Sequence, residues 1–377
     1  MPTPKLSDEQ AREAWDALVA HEHNSLAASR SLGMPDNTFR NRIRIARERG
    51  FHLPSGIQDA MASVGINNSN MISGGWLKTK EASIQFRLDQ SFNEISDISD
   101  RIREALSSIK SAETKPAPAY CDDDLLTVYP IADVHMGMYA WGEEVGEDYS
   151  VDIAEERVRS WMSSVISASP SSSVAVILDV GDLHHADSQD NRTPQSKHQL
   201  DVDGRHFRAI DASIKALVYC CDMALEKHQR VIVRILPGNH NPTSYMATLF
   251  ALAAHYRDEP RIEVQKVPGE FFIMDFGQCL IAAHHGDKSK PERMVMAIAD
   301  RYGPQWGRTK HRFLFTGHLH HLKSSEIGGV LWQQLRAVAP KDAYSFNGAY
   351  SGKSEIRAMT IHRDHGEVLT VVSACAQ

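Results

Sequence analysis

The chain predicts an α/β fold preceded by a small all-α module, and three features predict it. Five apolar, β-branched runs are spaced along its last two thirds: LLTVYPIA before Asp133, VAVILDV before Gly181, RVIVRILP before Gly238, CLIAAH before His285 and RFLFT before Gly317. Each is short and runs directly into Gly, Asp, Asn or His, as a buried strand does when it enters a loop at a sheet edge. Residues 7–50 instead space their apolar side chains by three and four, with capping residues at the starts and Gly at the ends.

Taken in order, SDEQAREAWDALVAHE (7–22) places Ala11, Trp15, Leu18 and Val19 on one helical face with Ser7 as N-cap. NSLAASRSLG gives a second short helix that stops at Gly33, and PDNTFRNRIRIARERG a third from near Asp36 to Gly50. On the third, Phe39, Ile43 and Ala46 or Arg47 share the inward face, which leaves Asn37, Thr38, Arg40, Asn41 and Arg44 outside. Helix, Gly turn and arginine-bearing helix resemble the small helix-turn-helix modules of bacterial and phage regulators and recombinases. Arginine forks onto guanine or phosphate and asparagine pairs with adenine, so these five are the expected DNA contacts. A solvated face or a protein-docking module is the alternative.

Residues 71–88 carry Gly-Gly and β-type alternation, a small hairpin. Residues 89–113 space Phe92, Ile95, Ile98, Ile102, Leu106 and Ile109 as an amphipathic helix, either packed on the following domain or forming a dimer seam in a homo-oligomer. KPAPAY (115–120) reads as an extended linker. The expected organisation is a module at 1–55, a connector at 56–120 and an α/β domain at 121–377.

The five strand ends carry Asp133-Val-His135, Gly181-Asp182, Gly238-Asn239-His240, His285-Gly286 and Gly317-His318-Leu-His320. Strand ends in an α/β sheet border the crevice where ligands sit. Carboxylate, imidazole and carboxamide without thiolate suit a pair of divalent ions, Mn²⁺ first, with Fe, Zn²⁺ or Mg²⁺ also open. Two ions about 3.5–4 Å apart need a bridging ligand, and a carboxylate is the natural one, here Asp182. Asp133, His135 and His320 then complete one site; Asn239, His285 and His318 complete the other. Of the adjacent His284 and His285 only one can face the site from a strand. His184 and His185 follow Gly-Asp in the same way; hydrogen bonding within the loop is their expected role, and neither is counted as a ligand.

This order of motifs resembles the calcineurin-like metallophosphoesterase superfamily over roughly residues 125–325. The resemblance implies a four-layer sandwich of two facing mixed sheets flanked by helices, with a dinuclear metal centre between the sheet ends. It implies His285, the one before Gly286, as the ligand of its adjacent pair, and catalytic roles for Asp182 and for His240, poised over the leaving oxygen. Many members carry an acidic residue after Gly-Asn-His where this chain has Asn241, and a neutral amide does not raise the pKa of His240 as a carboxylate would. The carboxyl region from Gly328 to Arg363 is similar to the tails of phage and prophage members. The superfamily includes DNA nucleases, so the resemblance and the module together imply a DNA phosphodiesterase. A phosphatase or phosphodiesterase of nucleotides or phosphoproteins is a second reading. A non-catalytic DNA-binding regulator is a third.

The net charge of -7 gives no global attraction to polyanions, so nucleic-acid contact has to come from local patches such as residues 40–49. Five cysteines without paired metal spacing read as reduced and mostly packed, which points to a cytoplasmic setting, and the start MPTPKLSDEQ has no apolar signal core. No membrane partner is expected. No phosphate-cradling Gly-rich loop or nucleophile elbow competes with the metal motifs. The polar insertion 187–208 is long for a connection and follows Asp182, so it is a place for specificity. Arg192, Lys197, His198, Arg205 and His206 are its candidate phosphate contacts, with Asp201 and Asp203 as holders of Arg205, and His184, just before it, is a further candidate substrate contact.

Overall fold

The computed structural model describes residues 6–21, 25–51, 74–78, 83–87, 111–349 and 352–374. They divide into two units, Met1–Glu104 and Ala105–Gln377.

In the first unit, α1 spans Asp8–Ala20, α2 Ser25–Ser31 and α3 Asp36–Glu48. Ser7 Oγ accepts the Gln10 amide and Gln10 Oε1 accepts the Ser7 amide, both at 3.1 Å, so two otherwise orphaned N–H groups are satisfied reciprocally. Gly33 and Gly50, with φ of 62° and 81°, end α2 and α3. There Met34 donates to the Ser29 carbonyl and Phe51 to that of Ala46, a closure that needs a left-handed residue. Ala14, Leu18, Ala28, Phe39 and Ile43 form the small core. Val19, expected on the inward face, is 51% exposed, and Ala14 is buried in its stead. The stripe Ala11, Ala14, Leu18 is narrow, and one further residue turns about 100° out of it.

Two strands, β1 (Gly74–Lys78) and β2 (Ser83–Arg87), pair antiparallel with Gly74 opposite Arg87, as the alternation predicts. The amphipathic helix expected over 89–113 lies outside the described residues up to residue 110, and 111–113 are not helical.

The second unit continues with β3 (Asp122–Ile131), α4 (Gly142–Val145), α5 (Val151–Ala168), β4 (Ser172–Asp179), α6 (His206–Lys227), β5 (Arg230–Ile235), α7 (Tyr245–His255) and β6 (Ile262–Val264). There follow β7 (Phe272–Phe276), β8 (Cys279–Ala283), α8 (Pro291–Arg301), α9 (Gly303–Arg308) and β9 (His311–Thr316). The chain closes with β10 (Lys323–Ile327), β11 (Val330–Gln334), α10 (Ala343–Asn347), β12 (Glu355–His362) and β13 (Gly366–Ala374).

One sheet has the order β13-β12-β3-β4-β5-β6, parallel from β3 to β6 with β12 and β13 antiparallel at one side. The other has the order β10-β11-β9-β8-β7, parallel across β11, β9 and β8 and antiparallel at both edges. Alternation along the strands decides the layering. Leu126, Val128, Val176, Leu178 and Ile232 of the first sheet share a cluster with Ile281, Phe313 and Phe315 of the second, between the sheets. Their neighbours Tyr129, Ile131, Ala175, Ile177, Val231 and Val233 face α5, α6 and α7 instead. Leu280, Ala282 and Leu314 face α8 on the far side. Both faces of the central strands are therefore buried, which is why those runs read as almost continuously apolar. The result is the four-layer sandwich of two mixed sheets that the sequence predicts.

Residues 111–115, up to the first residue of the expected linker, are hydrogen-bonded to this unit. Ala112 donates to the His255 carbonyl at 2.8 Å, the Lys115 amide donates to Glu259 at 2.9 Å, and Arg261 donates to the Lys115 carbonyl at 3.2 Å. Cys220, Cys221 and Cys279 are buried free thiols. Among the described residues no helix is long and apolar enough to cross a membrane.

His228 is fully buried below the first sheet, its Nε2 2.8 Å from Tyr129 Oη and its Nδ1 2.8 Å from Ser172 Oγ. Burial pulls its pKa down to about 4. The unfolded chain, with the ordinary value near 6.5, then binds the extra proton, so stability falls as pH drops from 6.5 towards 4. The expected loss is on the order of 1.4 kcal/mol per pH unit across that window, ending near 3 kcal/mol. Chemical denaturation of the wild type and of His228→Gln between pH 7 and 4 isolates it: the difference between the two curves should narrow as pH falls.

Candidate metal centre

Strand register brings the ligand-bearing ends level. Ile131 pairs with Asp179 and Asp179 with Ile235 in one sheet, while Ala283 pairs with Phe315 in the other. Just past these residues the chain turns sharply. Asp133, His135, Asp182, His318 and His320 all adopt left-handed backbone, with φ between 47° and 72°. Left-handed φ is uncommon outside glycine and marks places where surroundings over-determine the backbone. Five of the seven expected ligands share it, so the strain is concentrated on this cluster.

The seven expected ligands do converge. Donor atoms of Asp133, His135 and His320 lie within 4.8 Å of one another, and so do those of Asp182, His285 and His318. Within the first group His135 Nε2 is 3.1 Å from His320 Nε2, and His320 Nε2 is 3.3 Å from Asp133 Oδ1. Within the second, Asp182 Oδ2 is 3.1 Å from His285 Nε2, which is 3.0 Å from Asn239 Oδ1. Asp182 Oδ2 also lies 4.0 Å from His135 Nε2, so one carboxylate stands between the two groups. His285 points its Nδ1 at the Val180 carbonyl, 3.0 Å away. His284 turns aside, its Nδ1 accepting the Gly286 amide, as expected from side-chain alternation.

Flanking glycines make the approach sterically feasible. A Cβ on Gly238 would lie 2.0 Å from Asp182 Oδ1, and one on Gly317 2.6 Å from Asp133 Oδ2. Backbone amides then grip both carboxylates: His240 donates to Asp182 Oδ1 at 2.8 Å, and His318 donates to both oxygens of Asp133 at 3.0 Å.

The electrostatics suit cations. Burial opposes ionisation of Asp182, but His285, His240 and His135 outweigh it and hold its carboxyl well below the usual range. Burial likewise opposes a charge on His285, yet Asp182 and Asp133 raise it to about 10. His135 is held well below its ordinary value by burial and by His240. Asp179, at the end of β4, is buried with no side-chain hydrogen-bond partner among the described residues, and burial pushes its carboxyl well above the usual range against the nearby Gly181 amide. Buried carboxylates and imidazoles in two groups, a further buried acid beside them and glycines pressed on the oxygens fit a pair of divalent ions.

His240 also lies in the cluster. Its Nδ1 is 2.8 Å from the His185 carbonyl, which can only accept, so Nδ1 carries a proton and donates it there. That carbonyl orients the ring. Asn241 instead turns inward, its Oδ1 accepting the Gly238 amide at 3.2 Å and bracing the turn.

Expectation fails at His184, which precedes the insertion, and at Asp203 within it. His184 is fully buried, with Nδ1 2.9 Å from Ser244 Oγ and Nε2 3.2 Å from Thr248 Oγ1, so both nitrogens are committed inside the fold and substrate contact is ruled out. His185 takes the place facing the cluster: its donor atom groups with those of His135 and His240. Adjacent side chains diverge, and the pair His184-His185 does not by itself reveal which one faces inward. Burial and His240 hold His185 down to about 3, against Asp342 and Asp182. Asp342 precedes α10 in the carboxyl region and belongs to no motif; its proximity to His185 arises from the fold alone.

Arg192 and Lys197 are exposed and line an open cleft with Asp187, Ser188, Asp190 and Pro194. Arg205 is exposed just before α6, and Asp203, expected to hold it, instead accepts Arg208 at 3.2 Å and the Val151 amide at 2.8 Å. Neither arginine is brought into the metal-ligand groups. In the first unit, Asn37, Thr38, Arg40, Asn41 and Arg44 are all exposed on α3. Arg40 pairs with Asp36 at 2.6 Å, and Arg44 with Glu48 and with Asn41.

No protein-family model and no curated protein matches the sequence. Solved structures do. A novel archaeal phosphodiesterase aligns with 66% of this chain and 99% of its own at 13% identity and a TM-score of 0.35. Vacuolar protein sorting 29 from Cryptosporidium parvum aligns with 68% of this chain and 100% of its own at 14% identity and a TM-score of 0.33. Phosphopantetheinyl hydrolase from Mycobacterium tuberculosis aligns with 61% and 94% at 12% identity and a TM-score of 0.26.

Gly238→Ala should displace Asp182, costing about 1–3 kcal/mol by overpacking and weakening Mn²⁺ binding at both groups, as calorimetric titration would read. Gly303→Ala, where a Cβ meets nothing within 4 Å, is the control and should bind Mn²⁺ normally. Because ligation needs a neutral imidazole and His285 holds its proton up to about 10, ion binding at pH 7.5 should expel protons and tighten as pH rises. Calorimetry in buffers of different ionisation enthalpy measures this, and a buffer-independent heat would contradict it.

Proposed function

We propose that the chain is a phosphoesterase working with two divalent ions, and that its substrate is a phosphodiester of DNA. The observation that carries the phosphoesterase reading is the Asp182 carboxylate standing between two groups of buried donors, 3.1 Å from His285 Nε2 and 4.0 Å from His135 Nε2. When bound, two such ions supply activation of water and neutralisation of charge on a phosphoryl group. Asp133, His135 and His320 would hold one and Asn239, His285 and His318 the other, with Asp182 common to both.

The chain's own residues do the rest. His240, fixed through Nδ1 on the His185 carbonyl, presents Nε2 as the atom that exchanges a proton with the leaving oxygen. Glycines at 238 and 317 let the backbone close around the carboxylates and Gly181 lets it close on the His285 ring, so the donors are set before substrate arrives. No side-chain nucleophile enters the reading, so the ester is cleaved by water in one step.

The DNA reading draws on the exposed polar face of α3. Its arginines are already paired along the helix, but exposed i,i+4 pairs hold loosely. A phosphate or guanine that accepts a bidentate arginine bond is the stronger partner. Arg40 and Arg44 therefore remain available to nucleic acid while their carboxylates lower non-specific attraction.

The test is hydrolysis of labelled single- and double-stranded DNA and of a small phosphodiester with Mn²⁺, for the wild type, Asp182→Asn and Arg40→Ala/Arg44→Ala. Asp182→Asn should lose activity on all substrates by more than about 100-fold, since even an outer-sphere partner is worth about 10–100-fold. The arginine variant should lose DNA cleavage selectively and show a shallower salt dependence. Turnover of the small ester alone, unchanged in the arginine variant, would replace the DNA reading with a nucleotide or phosphoprotein phosphatase. Absence of hydrolysis with any divalent ion would leave the non-catalytic regulator.

A further inference from the structure

His135 sits between two sets of neighbours. Its Nε2 faces His320 Nε2 at 3.1 Å and Asp182 Oδ2 at 4.0 Å, within the ligand groups. Its Nδ1 lies 3.2 Å from Nδ1 of His185. Contact between two ring nitrogens needs one to donate and the other to accept, which allows two arrangements. If His185 donates, neutral His135 carries its proton on Nε2, and that atom has no lone pair for an ion. If His135 donates, its Nε2 is bare, His185 accepts at Nδ1, and His185 carries its own proton on Nε2. Only the second permits ligation.

We propose that His185 is the positioning residue for His135: it accepts the Nδ1–H, selects the tautomer and holds the ring so that Nε2 faces the ion shared with Asp133, Asp182 and His320. This rests on the two-ion reading above. Ligating histidines generally place their second nitrogen on a carboxylate, carbonyl or water. Among the described residues His185 is the partner that His135 Nδ1 has.

His185 is built to hold still. It is 2% exposed, and its ring stacks on His240 with centroids 5.3 Å apart and planes 20° apart. Its amide donates to the Met136 carbonyl at 3.0 Å, and its carbonyl receives His240 Nδ1 at 2.8 Å. Its Nε2 is buried without a partner among the described residues and in this tautomer carries an unanswered N–H, a cost that the Nδ1 contact and the ligation it permits have to offset. One imidazole thus orients two others, His135 through its ring and His240 through its backbone.

The first test uses the wild-type full chain, labelled with ¹⁵N-histidine and loaded with Zn²⁺. Long-range ¹H–¹⁵N spectra should show His135 ligated through Nε2 and protonated at Nδ1, with His185 protonated at Nε2. His135 ligated through Nδ1, or His185 protonated at Nδ1, would overturn the proposal. The second is calorimetric Mn²⁺ titration of the wild type, His185→Leu and His185→Gln. Leu should weaken one of the two ions about 10–100-fold and leave the other unchanged, and Gln, whose Oε1 accepts, should recover part of the loss. Wild-type affinity for both ions in a folded His185→Leu sinks the proposal while leaving the two-ion reading intact. A wild-type chain that binds no divalent ion sinks the two-ion reading itself. If His185→Leu does not fold, the wild-type spectrum decides.

Discussion

Asp182 Oδ1 accepts the His240 amide while Oδ2 faces His285, and Oδ1 together with the Asp182 backbone nitrogen presses on Gly238 so closely that no Cβ fits there. This one seat couples three strand ends: β4 delivers the carboxylate, β5 the Gly-Asn-His turn and β8 the imidazole. Moving any of them breaks a contact belonging to the other two. The left-handed backbone at Asp133, His135, Asp182, His318 and His320 follows from the same demand, because a chain leaving a strand in ordinary extended geometry would carry these side chains past one another. Function here requires that the polypeptide leave its comfortable torsions at five places, and the two apolar cores on either face of the first sheet are what hold it there.

Much of this was legible in the residue order. Short apolar runs ending in Asp, Asn or His announced strand ends, and the structure brings the seven expected side chains together in two groups of donors. Glycine signals at 33 and 50 and the Ser7 cap marked the first three helices. Other features had no local signature. That β12 returns antiparallel beside β3 depends on a pairing across the whole α/β unit, which periodicity does not encode. The choice between His184 and His185 turned on which way one loop residue points, decided by Ser244 and Thr248 on a different element. Val19 looked inward by spacing alone, but a seven-residue α2 covers only a narrow stripe of α1.

The first unit and the second solve opposite electrostatic problems. On α3, arginines lie in water beside carboxylates, where pairing is weak and exchangeable. In the second unit carboxylates and imidazoles lie away from water, where each charge must be answered nearby or suppressed, as the raised Asp179 and the lowered His135 show. The net charge of the chain says little about either, since one is a surface balance and the other an interior one.

Both donor groups draw on both sheets. Asp133 and His135 leave β3 of the first sheet to meet His320 beyond β9 of the second; Asp182 leaves β4 to meet His285 and His318 beyond β8 and β9. An ion held by either group is thereby a reversible staple fastening one sheet to the other at their shared rim, closing a long loop of chain much as a disulfide would. Removing such an ion would then loosen the two sheets at that rim, leaving Ala132, Val180 and Leu236 of the first and Ala283, Phe315 and Leu335 of the second to hold them there.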